Sequence, residues 1–267
     1  MERDIALKYS NKFKALLELQ DKVKSIHPLL SEHFPIAIVE DKQLHIFEYK
    51  KGSYSLSHSE PDTMDLPVGV RAAFPLESMQ NQVVVVVTGE VFDTVSEQVI
   101  IFHEFVHCYQ YHTCEMQLRE HIDIAKRSAN TGDSWELNYP FPYADNQYIE
   151  ITRSLFESLD KKDEKLIGST RRKLKVCLTT EQADYMVWQE WKEGFARYIE
   201  NQVKLFLGIN LNHGGRNEPY SRTTFYEMGS QFIDLIVQAS PGSLYKIEEL
   251  YYALKNDLFF ENNNNVR

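Results

Sequence analysis

The chain has 267 residues, 43% of them apolar and 25% charged, the profile of an ordinary globular protein with enough material to bury a proper core. Its 39 acidic residues against 29 basic ones give a net charge of -10, which argues against a nucleic acid or an anionic membrane as the main partner. No apolar run approaches the roughly 18 residues of a membrane span, and three cysteines without a CxxC pair point to a reducing compartment, so a soluble cytoplasmic protein is expected.

The first 25 residues mix charged and apolar types at helical spacing and read as an amphipathic helix, not a secretion signal. Pro28 and Pro35 break it. "PIAIV", "QLHIFEY" and "SYSLS" then read as short strands, the first two joined at Glu40-Asp41-Lys42, and "GVRAAF" is a further candidate. "QVVVVVT", residues 82–88, is the clearest strand, because five consecutive valines suit a strand covered on both faces. Beyond residue 93 the pattern is helical. Thr94 followed by Glu97 is a capping-box signature and predicts a helix from Val95 to about Arg127. "NTGDSWELNYPFPYADNQ" reads as a loop. Helical patterns return at 148–160, 163–177 and 181–207, are interrupted by "GINLNHGGRNEPYSR", and resume at 223–239 and 242–258. The tail "ENNNNVR" reads as a frayed end. With no internal repeat and no Gly/Ser linker, the expectation is one α+β domain over 1–267. A helix and small sheet fill 1–92, and a mostly helical part fills 93–267.

The stretch "VIIFHEFVHCYQY", residues 99–111, places two histidines and a glutamate inside an apolar helix. Residues four apart share a helix face with Cβ atoms about 6 Å apart. His103 and His107 can therefore aim ring nitrogens at one Zn²⁺, whose His ligands sit at roughly 2.0–2.1 Å. Glu104 lies about 100° round the helix, where it reaches a water on the metal without binding the metal tightly. The plainer alternative is a partly buried helix with two hydrogen-bonded histidines. The nearly all-apolar flanks weaken it, because burial without a partner would be costly for a glutamate at 104. A catalytic zinc site needs a third protein ligand. His112 lies about 140° round the helix and His121 about 27 Å along its axis, so the third ligand must come from another element.

"WKEGFARYIE", residues 191–200, is the best source. Glu193-Gly194-Phe195-Ala196 resembles the "NEGFA" segment of gluzincin aminopeptidases, and together with HExxH it makes the chain similar to their catalytic domain. The resemblance implies a thermolysin-like zincin fold, with a small sheet lobe, a larger helical lobe and the active-site cleft between them. It implies Glu193 as third zinc ligand, with Gly194 and Ala196 leaving room for its helix to approach the first. Glu200, two turns on and on the same face, either orients a histidine or is a surface charge, the commoner case.

Two further segments carry the likeness. "FYEMG" at 225–229 resembles the family's "YEKG", which implies that the Tyr226 hydroxyl donates to the oxyanion. "ESMQN" at 77–81 resembles "GxMEN", but only Met79 and Asn81 match. Gln80 stands where the family's glutamate grips the free amino end of the peptide. An amide still accepts a hydrogen bond but lacks the charge that selects an ammonium, so strict aminopeptidase specificity is not implied. The likeness spans about residues 77–239. The long gap from His107 to Glu193 makes 113–185 read as an inserted helical segment. Its aromatics Trp135, Tyr139, Phe141 and Tyr143 either cover the cleft or pack beneath a loop.

The resulting expectation is a peptidase acting on a peptide or small protein. One Zn²⁺ is held by His103, His107 and Glu193; Glu104 is the general base and Tyr226 the oxyanion donor. Arg216 and Arg222, in or beside the loop before Tyr226, are candidates for binding a substrate carboxylate. The substrate is expected along a strand edge. Two alternatives remain: a zincin-fold binding protein that hydrolyses nothing, and a zinc amidase acting on a non-peptide amide.

Overall fold

The structure, a computed structural model, describes residues 2–131 and 134–257. Helix α1 (Glu2–Val23) precedes five strands: β1 (Ile36–Glu40), β2 (Gln43–Lys50), β3 (Ser53–Pro61), β4 (Arg71–Leu76) and β5 (Gln82–Thr88). Their spatial order is β3-β2-β1-β5-β4. The β1–β5 pair is parallel and the others antiparallel. The β1–β2 connection is a two-residue hairpin in which Asp41 and Lys42 both take positive φ, the backbone that lets a tight turn match the strand twist. The valine run sits inside the sheet. Val83 to Val87 are all at most 2% exposed, and Val84 and Val86 join Ala37, Leu44, Ile46 and Leu76 in one apolar cluster. β3 and β4 are the edge strands.

Helix α2 (Val95–Gln110) starts where the capping signature placed it, with the Glu97 N–H donating to Thr94 Oγ1 at 3.1 Å. It packs against β4 and β5. The expected run to Arg127 does not occur. The helix widens into a π turn at Tyr111–Glu115, continues for one turn as α3 (Met116–Arg119), and restarts as α4 (Asp123–Thr131). A second departure lies in the segment read as a loop, where α5 (Trp135–Asn138) forms a single turn. Trp135 is buried against Tyr185 and Trp188, and that packing outweighs the local Gly/Asn/Pro composition. Then follow α6 (Asn146–Asp160), α7 (Glu164–Val176), α8 (Thr180–Leu207), α9 (Arg222–Ala239) and α10 (Ile247–Asn256). The "ENNNNVR" tail lies outside the described residues. Among those described, no helix is long and apolar enough to cross a membrane.

The chain divides into two compact units. One takes residues up to 113 together with 199–211, and so contains the sheet, α1, α2 and the last turns of α8; the other takes 114–198 and the residues from 212 onward. The second unit is built around buried charge. Arg171, fully buried, makes a two-pronged bond to Glu190 at 2.8 and 2.7 Å and also reaches Asp257 and the Leu254 carbonyl. Glu115 accepts from Arg119 at 2.7 Å and from Lys192 at 3.0 Å, and both cations also meet Glu136.

Burial pushes the Glu115 carboxyl up, but Lys192 and Arg119 outweigh it and hold it below the ordinary glutamate value. A depressed acid stabilises the fold above its unfolded pKa, and that stability is lost as pH falls through the lower folded value. Glu115→Gln is therefore expected to cost about 3 kcal/mol at pH 7, because it removes a buried carboxylate and leaves two half-buried cations on one remaining carboxylate. The gap from wild type should close as pH falls below about 4. Urea unfolding at a series of pH values checks this, and a gap that stays constant into acid would contradict it.

Candidate metal centre

His103 and His107 sit one turn apart on α2, 8% and 7% exposed, with ring centroids 5.1 Å apart and nearly perpendicular planes. Each ring is oriented from behind. His103 Nδ1 lies 3.0 Å from Glu200 Oε2, and His107 Nδ1 lies 3.1 Å from Gln110 Oε1. A carboxylate and an amide oxygen are acceptors, and the tautomer that suits them carries its proton on Nδ1 and leaves the lone pair on Nε2. Glu200 is buried at 1% exposure; it is not a surface charge.

Glu193 stands seven residues before Glu200 on the continuous helix α8, about 10 Å along the axis and within about 20° of the same face. One candidate ligand atom each from His103, His107 and Glu193 lie within 4.8 Å of one another. Zn²⁺ asks roughly 2.0–2.2 Å of imidazole nitrogen and carboxylate oxygen, so its ligand atoms lie near one another, as these do. Two imidazoles backed by acceptors, with one carboxylate, are a donor set that fits zinc. Glu104, beside His103 in sequence, is 5% exposed.

Gly194 has a role other than the one expected. A Cβ there would come within 2.6 Å of Gly229 Cα, so the room it leaves is taken by α9, not by α2. The same crossing is tighter from the other side, where a Cβ at Gly229 would lie 2.0 Å from the Glu190 carbonyl oxygen. These glycines let the backbones of α8 and α9 touch.

Tyr226 lies in the second turn of α9, 9% exposed. The guanidinium carbons of Arg197 and Arg222 each stand 5.8 Å from its ring centroid. Arg222 also donates to the Glu136 carbonyl at 3.2 Å, and Arg197 to the carbonyls of Asn212 and Gly214 at 3.4 and 3.1 Å. Arg216 meets Asp160 and lies 3.6 Å from Glu227, so the carboxylates it contacts belong to the chain itself. Gln80 is exposed, with a positive φ of 57°, in the short connection that carries β4 into β5.

Sequence reasoning passed over Gln110, Arg197 and Lys204. Gln110 follows His107 by three and Lys204 follows Glu200 by four, the spacings of helical neighbours, so both were readable once the helices were drawn. Arg197 carried no such signal, since its partners come from a loop. Comparison with family models, with curated proteins and with solved structures gives no match. The functional reading therefore rests on the side chains themselves.

Proposed function

We propose that the chain is a zinc-dependent peptidase of the thermolysin-like zincin type, acting in a reducing compartment. The observation that carries this reading is the His103–His107–Glu193 group, with all three candidate ligand atoms within 4.8 Å, next to a glutamate at the HExxH base position. Zinc held there would supply Lewis acidity toward a water and a peptide carbonyl.

The chain's own residues do the rest. Glu200 and Gln110 hold the two imidazoles in the tautomer that leaves Nε2 for coordination. Glu104 takes a proton from the attacking water and returns it to the leaving amine. The Tyr226 hydroxyl donates to the carbonyl oxygen as negative charge develops there, in the field of the Arg197 and Arg222 guanidiniums. The substrate backbone pairs with β4, an edge strand against which α2 packs. Gln80, just beyond the end of β4, offers a hydrogen bond but no charge to the substrate terminus, so a free amino end is not required.

Digestion of a peptide library by the zinc-loaded protein, read by mass spectrometry, tests both parts. Cleavage of interior bonds and of N-terminally blocked peptides is expected. Release of single residues from free amino ends alone would overturn the specificity, and intact peptides throughout would overturn the peptidase.

A further inference from the structure

The carboxylate behind His103 is itself held. Glu200 sits in the first unit with its side chain 1% exposed, and each of its oxygens meets a partner. Oε2 meets His103 Nδ1 at 3.0 Å, while Oε1 accepts from Lys204 Nζ at 2.7 Å. Lys204 is one turn further along α8, with a side chain only 8% exposed. A lysine that buries its ammonium gives up hydration, so a location beneath the surface needs a reason. A carboxylate with one oxygen fixed by an ammonium from its own helix has little freedom to turn, and its other oxygen is left pointing in one direction. That direction is His103.

We propose that Lys204 is the positioning residue of the metal centre, acting on His103 through Glu200. Lys204 compensates the buried carboxylate and pins Oε1, and Oε2 then fixes the imidazole ring and keeps its proton on Nδ1. The histidine thereby reaches the cation already in the coordinating tautomer. The counterpart on the other ring, Gln110, is neutral and comes from the same helix as its histidine.

This inference rests on the metal-centre reading, but its first test does not require a metal. In metal-free full-length protein carrying ¹⁵N-labelled histidine, long-range ¹H–¹⁵N spectra report the tautomer of His103, assigned by comparison with His103→Gln. Wild type and Lys204→Arg should show the Nδ1–H form, and Lys204→Met should show a mixture of forms. The second readout is zinc affinity by competition with a chelating dye at fixed pH. Lys204→Met should weaken binding by about 10- to 100-fold, the range for loss of an outer partner, and Lys204→Arg should restore it to within about threefold. Should Lys204→Met fail to fold, Lys204→Gln keeps a donor for Oε1 without the charge, and the same mixture and loss are expected of it. A pure Nδ1–H signal with unchanged affinity in the uncharged variant would overturn the proposal. A wild-type chain that binds no zinc would sink the metal-centre reading, yet the tautomer comparison would still decide what Lys204 does.

Discussion

Glu104→Gln is expected to lower peptide turnover by about 10²- to 10⁴-fold, the usual share of a positioned general base, with zinc content unchanged. The substitution is nearly isosteric, so packing around this 5%-exposed side chain survives. The proposed ligands His103, His107 and Glu193 are also untouched. What disappears is the capacity to accept a proton. A glutamine at 104 can still hydrogen-bond a water, but it cannot take a proton from it or pass one to the leaving amine. The fall should appear in kcat and kcat/KM together, since the lost interaction belongs to the transition state. Steady-state assay on any cleaved library peptide, with metal analysis of the same sample, measures both. Undiminished turnover would remove Glu104 from the chemistry.

The second large effect is structural. Gly229→Ala would set a Cβ 2.0 Å from the Glu190 carbonyl oxygen and 2.6 Å from its carbonyl carbon. Both are backbone atoms of α8, so no side chain can swing aside. Overpacking usually costs about 1–3 kcal/mol, and a backbone clash belongs at or above the top of that range. A loss of about 3 kcal/mol lowers the melting temperature by roughly 6–12 °C in a chain of this size. Function should fall with it. Glu193 directly precedes Gly194 in the same crossing, and Tyr226 sits one turn before Gly229, so helices forced apart separate the carboxylate from the phenol. Thermal melting followed by circular dichroism checks the first effect, and an unshifted melt would show that the crossing is not as tight as described.

Much of the local structure was legible because the signals were strong and short in range. The valine run announced a buried strand, and Thr94 with Glu97 fixed the start of α2 to the residue. The HExxH spacing placed both histidines on one face, as any α-helix must. The failures share one cause. The π turn at 111–115 brings Glu115 to Arg119 and Lys192, and Lys192 lies 77 residues away. The single turn at Trp135 depends on rings at Tyr185 and Trp188. Gly194 was read against the wrong helix because its neighbour is Gly229. For Glu200 the sequence leaves two roles open, orienting a histidine or a surface charge, because no pattern in its own helix reveals His103 across the way. Periodicity says which face a residue occupies. It does not say what stands opposite.

The central claim is that His103, His107 and Glu193 serve one cation. Zinc binding to the full chain, measured as stoichiometry and affinity by competition with a chelating dye, tests it most directly, using wild type beside His107→Ala and Glu193→Ala. One ion per wild-type chain is expected, with a loss of affinity of more than about 100-fold in each variant, beyond the range seen for outer partners. A wild-type chain that takes up no zinc, or a Glu193→Ala chain that holds it as tightly as wild type, would contradict the account.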